Sequence, residues 1–557
     1  MKIKIYSTAL AAVAAVSLSG CIDEVSPSGS TITTEQLQSS VKAGEAAAAA
    51  MPSTLNICNS DATAHHCDFG YPALMIIRDR CTGDMTWNPN YNGYDWFSNF
   101  AEGLFDSGYW MPQQIGNFYG QQILACNESA RAFPEDAELD AQKGARAVSL
   151  AFRANTYLDV ARWYEYLPCD ATSSINGDDN NVLNLTYPIV TENTTETEAA
   201  NNPRATREQM FEFIKSDLDY AAEHINDAPA SMRGYNYPNL AVVYGLYARL
   251  YMWVENYPEA KTWADRAIAE SGKTPLTEAQ WTDPVNGFNN PDSNNSWMFC
   301  GQYAKENRAI TTGIVNWISF MSPEYSAGYA SASGGGTDVD YSFYQRIPTA
   351  DFRKLSWCPT NLVLQARMSL TGITSNKDKI TFCGKNKYAT VKFRCGEGET
   401  SDNTVACVVA FPLMRVEEMH FISIEAEAHT NPAAGKAALE NFMKTYRYSS
   451  YACTVSAEED IIDEIVFQKR VELWGEGQTM WDIKRLNMSV TRGYPGTNFY
   501  EKARFNTNGR PAWTNMVFLD TECEANKGLF KMNNPNTVGV YTPIPDNQVN
   551  FDASKWK

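Results

Sequence analysis

The residue whose chemistry is most sharply defined by its setting is Cys21. It closes the run Leu18-Ser19-Gly20-Cys21, behind Lys2, Lys4 and an apolar stretch from Ile5 to Leu18 that is too short to span a bilayer with margin. Small residues before a Cys let a signal peptidase approach the backbone closely, and the thiol is then the nucleophile that takes up lipid. The pattern predicts a lipoprotein signal peptide over residues 1–20, with Cys21 as an acylated mature N-terminus. Several acyl chains on one residue supply the two or more anchors that stable membrane attachment needs.

A second concentration of chemistry lies between Trp87 and Tyr119. Trp87, Tyr91, Tyr94, Trp96, Phe97, Phe100, Tyr109, Trp110 and Phe118 alternate there with Asn88, Asn90, Asn92, Asp95 and Asn99. Flat rings stack on the apolar faces of sugars, while amides and carboxylates match hydroxyl groups. Phe97, Phe100 and Phe118 read as core. Trp87, Tyr94, Trp96 and Trp110 stand among Asn, Gly and Pro and are expected to be exposed ligand-binding residues.

Other reactive groupings are sparse. There is no Gly-x-Ser-x-Gly elbow, no His-Glu-x-x-His and no Gly-rich loop ending in Lys-Ser or Lys-Thr. The spacing of Cys58, His65, His66 and Cys67 matches no common zinc pattern, and Asn176-Gly177-Asp178-Asp179-Asn180 lacks the twelve-residue ligand order of a helix-loop-helix calcium site. No metal, cofactor or catalytic residue is expected. Arg470, Glu472, Glu476, Asp482 and Arg485 read as charges that pair around a helix-turn-helix, because unpaired buried charges are costly.

The 557 residues carry a formal charge of −19; losing Lys2 and Lys4 with the signal peptide takes it two lower, to −21. Such acidity argues against nucleic acid as a partner, since that function rewards clustered Lys and Arg. Thirteen Cys leave twelve beyond Cys21. Cys58, Cys67 and Cys81, or Cys383, Cys395 and Cys407, are close enough in sequence to form local bridges.

The elements that must position these groups fall into a tether, a helical scaffold and an irregular half. Ser26 to Ser30 is linker chemistry. Helices are expected from Thr33 to Ala50, ended by Pro52, from Asp140 to Tyr166, and from a Thr206 cap through Ile225. Asp170 to Arg204 reads as a long polar loop. Between Leu240 and Gly272, the positions of Tyr244, Tyr247, Ala248, Tyr251, Tyr257, Ala260, Ala264 and Ala267 match a tetratricopeptide repeat, with further helices over 413–429 and 434–447 to stack beside it. From Pro275 to Ala406 periodicity fades. Asn-rich turns appear there, with short alternating runs such as 387–393 that suggest small strands.

Several blocks then carry a family resemblance. Phe411-Pro412-Leu413-Met414-Arg415-Val416-Glu417-Glu418 leads into Ile424-Glu425-Ala426-Glu427-Ala428. Ser456-Ala457-Glu458-Glu459 reads as a capping box for a helix reaching Arg470-Val471-Glu472-Leu473-Trp474-Gly475-Glu476-Gly477, followed by Met480-Trp481-Asp482-Ile483-Lys484-Arg485. Tyr541-Thr542-Pro543-Ile544-Pro545 closes the chain. This order resembles the SusD/RagB family of surface nutrient-binding lipoproteins; Ile22-Asp23-Glu24 likewise resembles the surface-export signal of lipoproteins displayed outside the outer membrane of certain diderm bacteria. Lys469 and Thr479 depart from the family pattern, at positions that read as structural.

The resemblance implies a mainly α fold: a tetratricopeptide-repeat-like scaffold with an irregular, loop-rich half containing a few short strands. It divides the chain into a signal peptide over 1–20, a lipidated tether over 21–32 and one domain over 33–557. The repeat-like helices fall within 33–272 and 413–490, and the ligand-binding region is about 275–406. It points to Trp297, Trp317 and Tyr344 as partners of the N-terminal aromatics. It further implies a non-catalytic protein anchored in the outer membrane and facing the exterior, which captures a glycan and passes it to a TonB-dependent SusC-like transporter. Peptide binding within the same family, a secreted glycoside hydrolase and a protein-binding adaptor are the alternatives.

Overall fold

Apolar spacing becomes helix most directly in the N-terminal half. The computed structural model describes residues 41–57, 66–87, 105–283, 285, 288–332, 337–358 and 388–545. Within them α1 spans Tyr71–Arg80, α2 Trp110–Ala132, α3 Asp140–Tyr164 and α4 Arg207–His224. Thr206 caps α4 reciprocally: its hydroxyl accepts from the Gln209 N–H, and the Gln209 side chain accepts from the Thr206 N–H. α3 stops two residues short of expectation because Tyr166 turns away to bridge Leu183. Of the helix expected to end at Pro52, the described part covers Val41–Ala48, and a new turn, Ala50–Thr54, places Pro52 where its missing N–H breaks no helical bond.

The repeat-like pair is α5, Leu240–Trp253, packed on α6, Tyr257–Ser271. Asn256 caps α6, with Pro258 in its first turn. Ala260, Ala264 and Ala267 are wholly buried, and Trp263 stacks on Tyr247 at 4.2 Å, so small residues admit the neighbouring helices and rings fill the wedge. α6 in turn packs against α7, Val416–Thr430, and α7 against both α8, Pro432–Tyr446, and α9, Glu458–Leu473. A Cβ on Gly435 would come within 2.5 Å of the Ala428 Cα, so α7 and α8 meet at a distance that only glycine allows. The fold is thus mainly α with stacked, tetratricopeptide-like helix pairs.

Two expectations in the C-terminal part change. The helix expected from 413 begins at Val416, because Ala410–Arg415 is a strand paired antiparallel with Trp297–Gln302. Pro412 is tolerated there because this is a two-stranded edge. The box expected at Ser456 does not form: α9 starts behind Ala457, without a side-chain cap.

The strands are short, in keeping with the sequence. They are β1 (Met85–Trp87), β2 (Trp297–Gln302), β3 (Thr337–Val339), β4 (Trp357–Cys358), β5 (Ala389–Thr390) and β6 (Ala410–Arg415). β1-β3-β5-β4 form one antiparallel sheet and β2-β6 the second. One hydrophobic core runs from Ala48 to Leu529, and a smaller one lies among α7, α8 and α9 around Phe421, Leu439 and Ile465.

The C-terminal charges form a buried lattice. Gly475 and Gly477 take φ of +82° and +69°, and a Cβ on them would lie 2.3 Å from the Phe393 ring and 2.8 Å from the Met75 Cα. That tight turn swings Glu476 back beside Glu472. Glu472 pairs with Arg447 at 2.8 Å, Arg353 at 3.2 Å and Arg415 at 3.4 Å, while Glu476 takes Lys392 at 2.7 Å. Arg470 reaches Asp84 on the far side of the sequence. Lys469 pairs with Asp482 at 2.9 Å, and Arg485 with Glu425 and Asp482, before and within α10, Thr479–Arg485. The acidic and basic residues singled out in sequence therefore hold elements together. Among the cysteines, Cys81, Cys395 and Cys407 carry free thiols, so these three close no local bridge; Cys358 is disulfide-bonded.

Candidate functional site

Four of the aromatics expected at a ligand platform lie in the core. Trp87 is 1% exposed on β1, edge-on to Tyr500 at 5.6 Å with the Arg80 guanidinium 4.9 Å from its ring. Trp297 opens β2 against Phe288, Trp317 packs on Phe393 at 4.7 Å, and Tyr344 lies between Tyr388 and the Lys354 ammonium. Trp297, Trp317 and Tyr344 are all buried, so none offers a ring face to a sugar. The reason is visible at Trp317. The amide before it, Asn316, accepts from the Ser319 N–H at 2.9 Å and caps the short helix that Trp317 begins. An Asn beside a Trp is a helix start there, not a pair of ligand contacts.

Trp110 is half-buried at the start of α2, and Phe118 is core as expected. Cys21, Tyr94, Trp96, Phe97 and Phe100 lie outside the described residues. Cys58 and His65 also lie outside them, and His66 Nδ1 is hydrogen-bonded to the Tyr329 hydroxyl. In the 176–180 loop, Asn176 Oδ1 accepts from the N–H groups of Asp178 and Asn180, and its Nδ2 donates to the Lys531 and Asn533 carbonyls. Asn176 thereby staples that loop to the C-terminal segment.

An open concavity lies elsewhere, a cleft of about 460 Å³ where the irregular half meets the loop before α5. Its floor is the end of the β2-β6 ladder, where Cys300 faces Pro412 and Gln302 faces Ala410. The Cys300 N–H donates to the Tyr235 carbonyl at 2.8 Å, which fixes the 235–236 loop against the floor. The opposite wall comes from residues 394–397. Asn289 ties it in place, its Oδ1 accepting from the Arg394 N–H at 2.6 Å and its Nδ2 donating to the Ala410 carbonyl at 3.3 Å. Arg394 is buried and pairs with Glu324 at 2.5 Å.

What remains at the mouth is polar. Asn236 and Asn290 are half-buried and Gln302 is exposed, while Asp292 and Glu397 present exposed carboxylates. The side chains of Asn236, Gln302, Asp292 and Glu397 have no hydrogen-bond or ion-pair partner among the described residues, in contrast to the structural amide of Asn289. Such a surface accepts and donates to hydroxyl groups. Tyr235 adds one aromatic ring, with the Lys273 ammonium 4.8 Å from its centre.

Two carboxyls whose proton affinity burial raises, Asp79 and Asp340, are not among the residues lining this cleft. Burial pushes Asp79 up to about 7 against the pull of the Gly477 N–H, and pushes Asp340 up to about 6 although Ser342 and Tyr494 donate to it. Asp340 caps the helix Tyr341–Arg346, a structural duty.

Sequence reasoning picked none of the cleft residues for ligand binding, and Cys395 entered it only as a candidate for a local bridge. The available signals were the Asn-rich turn 289–295 and the Gly396-Glu397-Gly398 tripeptide inside the region expected to bind ligand. Neither announces a cleft until β2 and β6 pair.

The sequence pattern of the SusD family matches residues 360–554. No curated protein matches the chain. Among solved structures, the chain is similar to a SusD-like carbohydrate binding protein from Bacteroides vulgatus ATCC 8482, with a TM-score of 0.66 at 21% identity, covering 92% of this chain and 100% of that one. A SusD superfamily protein from Bacteroides thetaiotaomicron VPI-5482 gives a TM-score of 0.64 at 15% identity, over 88% and 99% of the two chains. Another from Parabacteroides distasonis ATCC 8503 gives 0.62 at 15%, over 89% and 98%. At these identities the likeness is one of fold.

Proposed function

We propose that the chain, whose residues 360–554 match the sequence pattern of the SusD family, is a nutrient-binding lipoprotein of the cell surface. It captures an oligosaccharide or polysaccharide, leaves it intact, and delivers it to a TonB-dependent outer-membrane transporter. The observation that carries this reading is the cleft between β2-β6 and residues 394–397, whose mouth displays amides and carboxylates without partners among the described residues. A similar structure is described as carbohydrate binding, which supports taking those groups as hydroxyl-recognising.

Among the described residues no helix is long and apolar enough to cross a membrane. On the Leu18-Ser19-Gly20-Cys21 pattern we assign attachment to lipid on Cys21, with 21–32 as tether and 33–557 as one folded domain. In this reading the protein is no enzyme. One observation favours hydrolysis instead: Asp292 and Glu397 are two carboxylates on one cleft. Both side chains are exposed to solvent, as suits groups that bind hydroxyls.

The test is to incubate the purified soluble chain with a panel of glycans, measuring binding and new reducing ends together. Binding without cleavage is expected. New reducing ends, lost on Glu397→Gln, would assign a hydrolase, and binding of peptides alone would assign the peptide reading.

A further inference from the structure

Resting on the glycan reading of the cleft, we propose that its ligand is a glycan free of carboxylate and sulfate groups, neutral or amino-substituted, and that Asp292 and Glu397 enforce this choice at the mouth. The charges around the cleft are unequal. Arg394, the cation among the described lining residues, is buried and neutralised by Glu324, with Nη2–Oε1 at 2.5 Å and Nε–Oε2 at 2.8 Å. Lys273 lies against the Tyr235 ring, its ammonium 3.5 Å from the Tyr235 hydroxyl. Among the described residues, two exposed carboxylates without partners stand against that half-buried ammonium, on a chain of charge −19.

The backbone holds one of those carboxylates in place at some cost. Glu397 has φ +53°, a left-handed conformation that a side chain disfavours and that glycine would adopt freely. Its neighbours enforce it. Gly398 N–H donates to the Cys395 carbonyl, Glu399 N–H to the Gly396 carbonyl, and Gly396 lies so close to the Val405 carbonyl that a Cβ would approach it to 2.5 Å. Across the cleft, the Asp292 N–H donates to Asn290 Oδ1 at 3.1 Å, which sets the turn that carries the second carboxylate.

A carboxylate accepts from vicinal hydroxyls and attracts an ammonium, while a uronate or sulfate brought to the same place meets like charge. Neutral amides of Asn236, Asn290 and Gln302 serve the uncharged hydroxyls. The cleft is therefore built for a hydroxyl-rich ligand and against an anionic one.

The experiment measures binding of the soluble chain to four probes: mannan oligosaccharides, β-glucan oligosaccharides, chitosan oligosaccharides and polygalacturonate, with chondroitin sulfate as a fifth. The expected result is binding within the first three, at least tenfold weaker binding of both polyanions, and a several-fold shift of the ratio toward polyanions in Asp292→Asn/Glu397→Gln. Both substitutions are on exposed side chains, and an unchanged melting curve confirms that the variant folds. Preferential binding of polygalacturonate or chondroitin sulfate, or a ratio unmoved in the variant, would overturn the charge assignment while leaving glycan binding intact. Binding of no glycan in the panel would overturn the glycan reading itself, and this inference with it.

Discussion

Arg415 Nε lies 2.8 Å from Glu476 Oε2, with the two side chains 0% and 4% exposed. This contact joins the strand that enters α7 to the turn that leaves α9, and the β6 strand it fixes is also the floor of the cleft. The same guanidinium reaches Glu417 at 2.8 Å and Glu472 at 3.4 Å. The charges around Glu472 and Glu476 are thus one shared lattice, in which removing a central member withdraws a counter-charge from several buried neighbours at once.

Glu472→Gln tests that lattice. Burial alone would push this carboxyl up, but Arg447, Arg415 and Arg353 outweigh it and hold it well below the usual range. A depressed folded value means that its stabilisation is present above the unfolded carboxyl value of about 4.3 and is lost as pH falls below it. Urea unfolding should show a loss of about 3–5 kcal/mol at pH 7, shrinking toward pH 3. A loss under about 1 kcal/mol at pH 7 would mean that the three arginines are satisfied without it.

Asp79 behaves in the opposite sense. Its carboxyl is raised to about 7 by burial, so the stability it contributes is present below the unfolded value of about 3.9 and is lost as pH rises through 7. Asp79→Asn keeps an acceptor for the Gly477 N–H, which donates to Asp79 at 3.1 Å, and cannot ionise. Thermal melts should find the variant more stable than the parent at pH 8, by about 1–4 kcal/mol, with the gap narrower at pH 5 and closed below about pH 3.9. Parallel pH profiles for the two proteins would contradict this.

The core placement of Trp297 and Trp317 predicts a stability effect, not a binding effect. Replacing either with Ala should cost about 3–5 kcal/mol through the cavity left behind. Ligand affinity measured on the folded fraction should be unchanged. An unaltered melting temperature with lost affinity would put these rings back at the ligand.

Cys21→Ala removes the thiol proposed to carry lipid. Fractionation of cells lacking the partner transporter should then find the protein released after export instead of membrane-bound. Retention in the outer-membrane fraction would require a different anchor.

Much of the scaffold was legible because helix periodicity and small-residue spacing are local signals: Thr206 at the cap of α4 and Ala260, Ala264 and Ala267 at the α6 contact need no knowledge of distant partners. The strand Ala410–Arg415 was not legible. Its apolar run suits helix or strand equally, and only pairing with β2, more than a hundred residues away, decides. The site suffered from the same limit. Trp87 looks like part of a platform because rings beside amides look like sugar chemistry, and the family resemblance adds Trp297, Trp317 and Tyr344, yet burial of large aromatic area and helix capping by Asn316 claim both residue types first. The cleft residues are ordinary Asn, Gln, Asp and Glu, which acquire meaning only when three separated segments converge.

The most direct measurement is titration calorimetry of a bound neutral oligosaccharide against the parent and an Asn236→Ala/Gln302→Ala variant, with thermal melts alongside. Neither side chain has a partner among the described residues, so the melting temperature should not move. Losing two hydrogen bonds of about 0.5–1.5 kcal/mol each should weaken binding roughly tenfold. Full affinity in the variant would show that the ligand is held by another surface and that this cleft is not the site of capture.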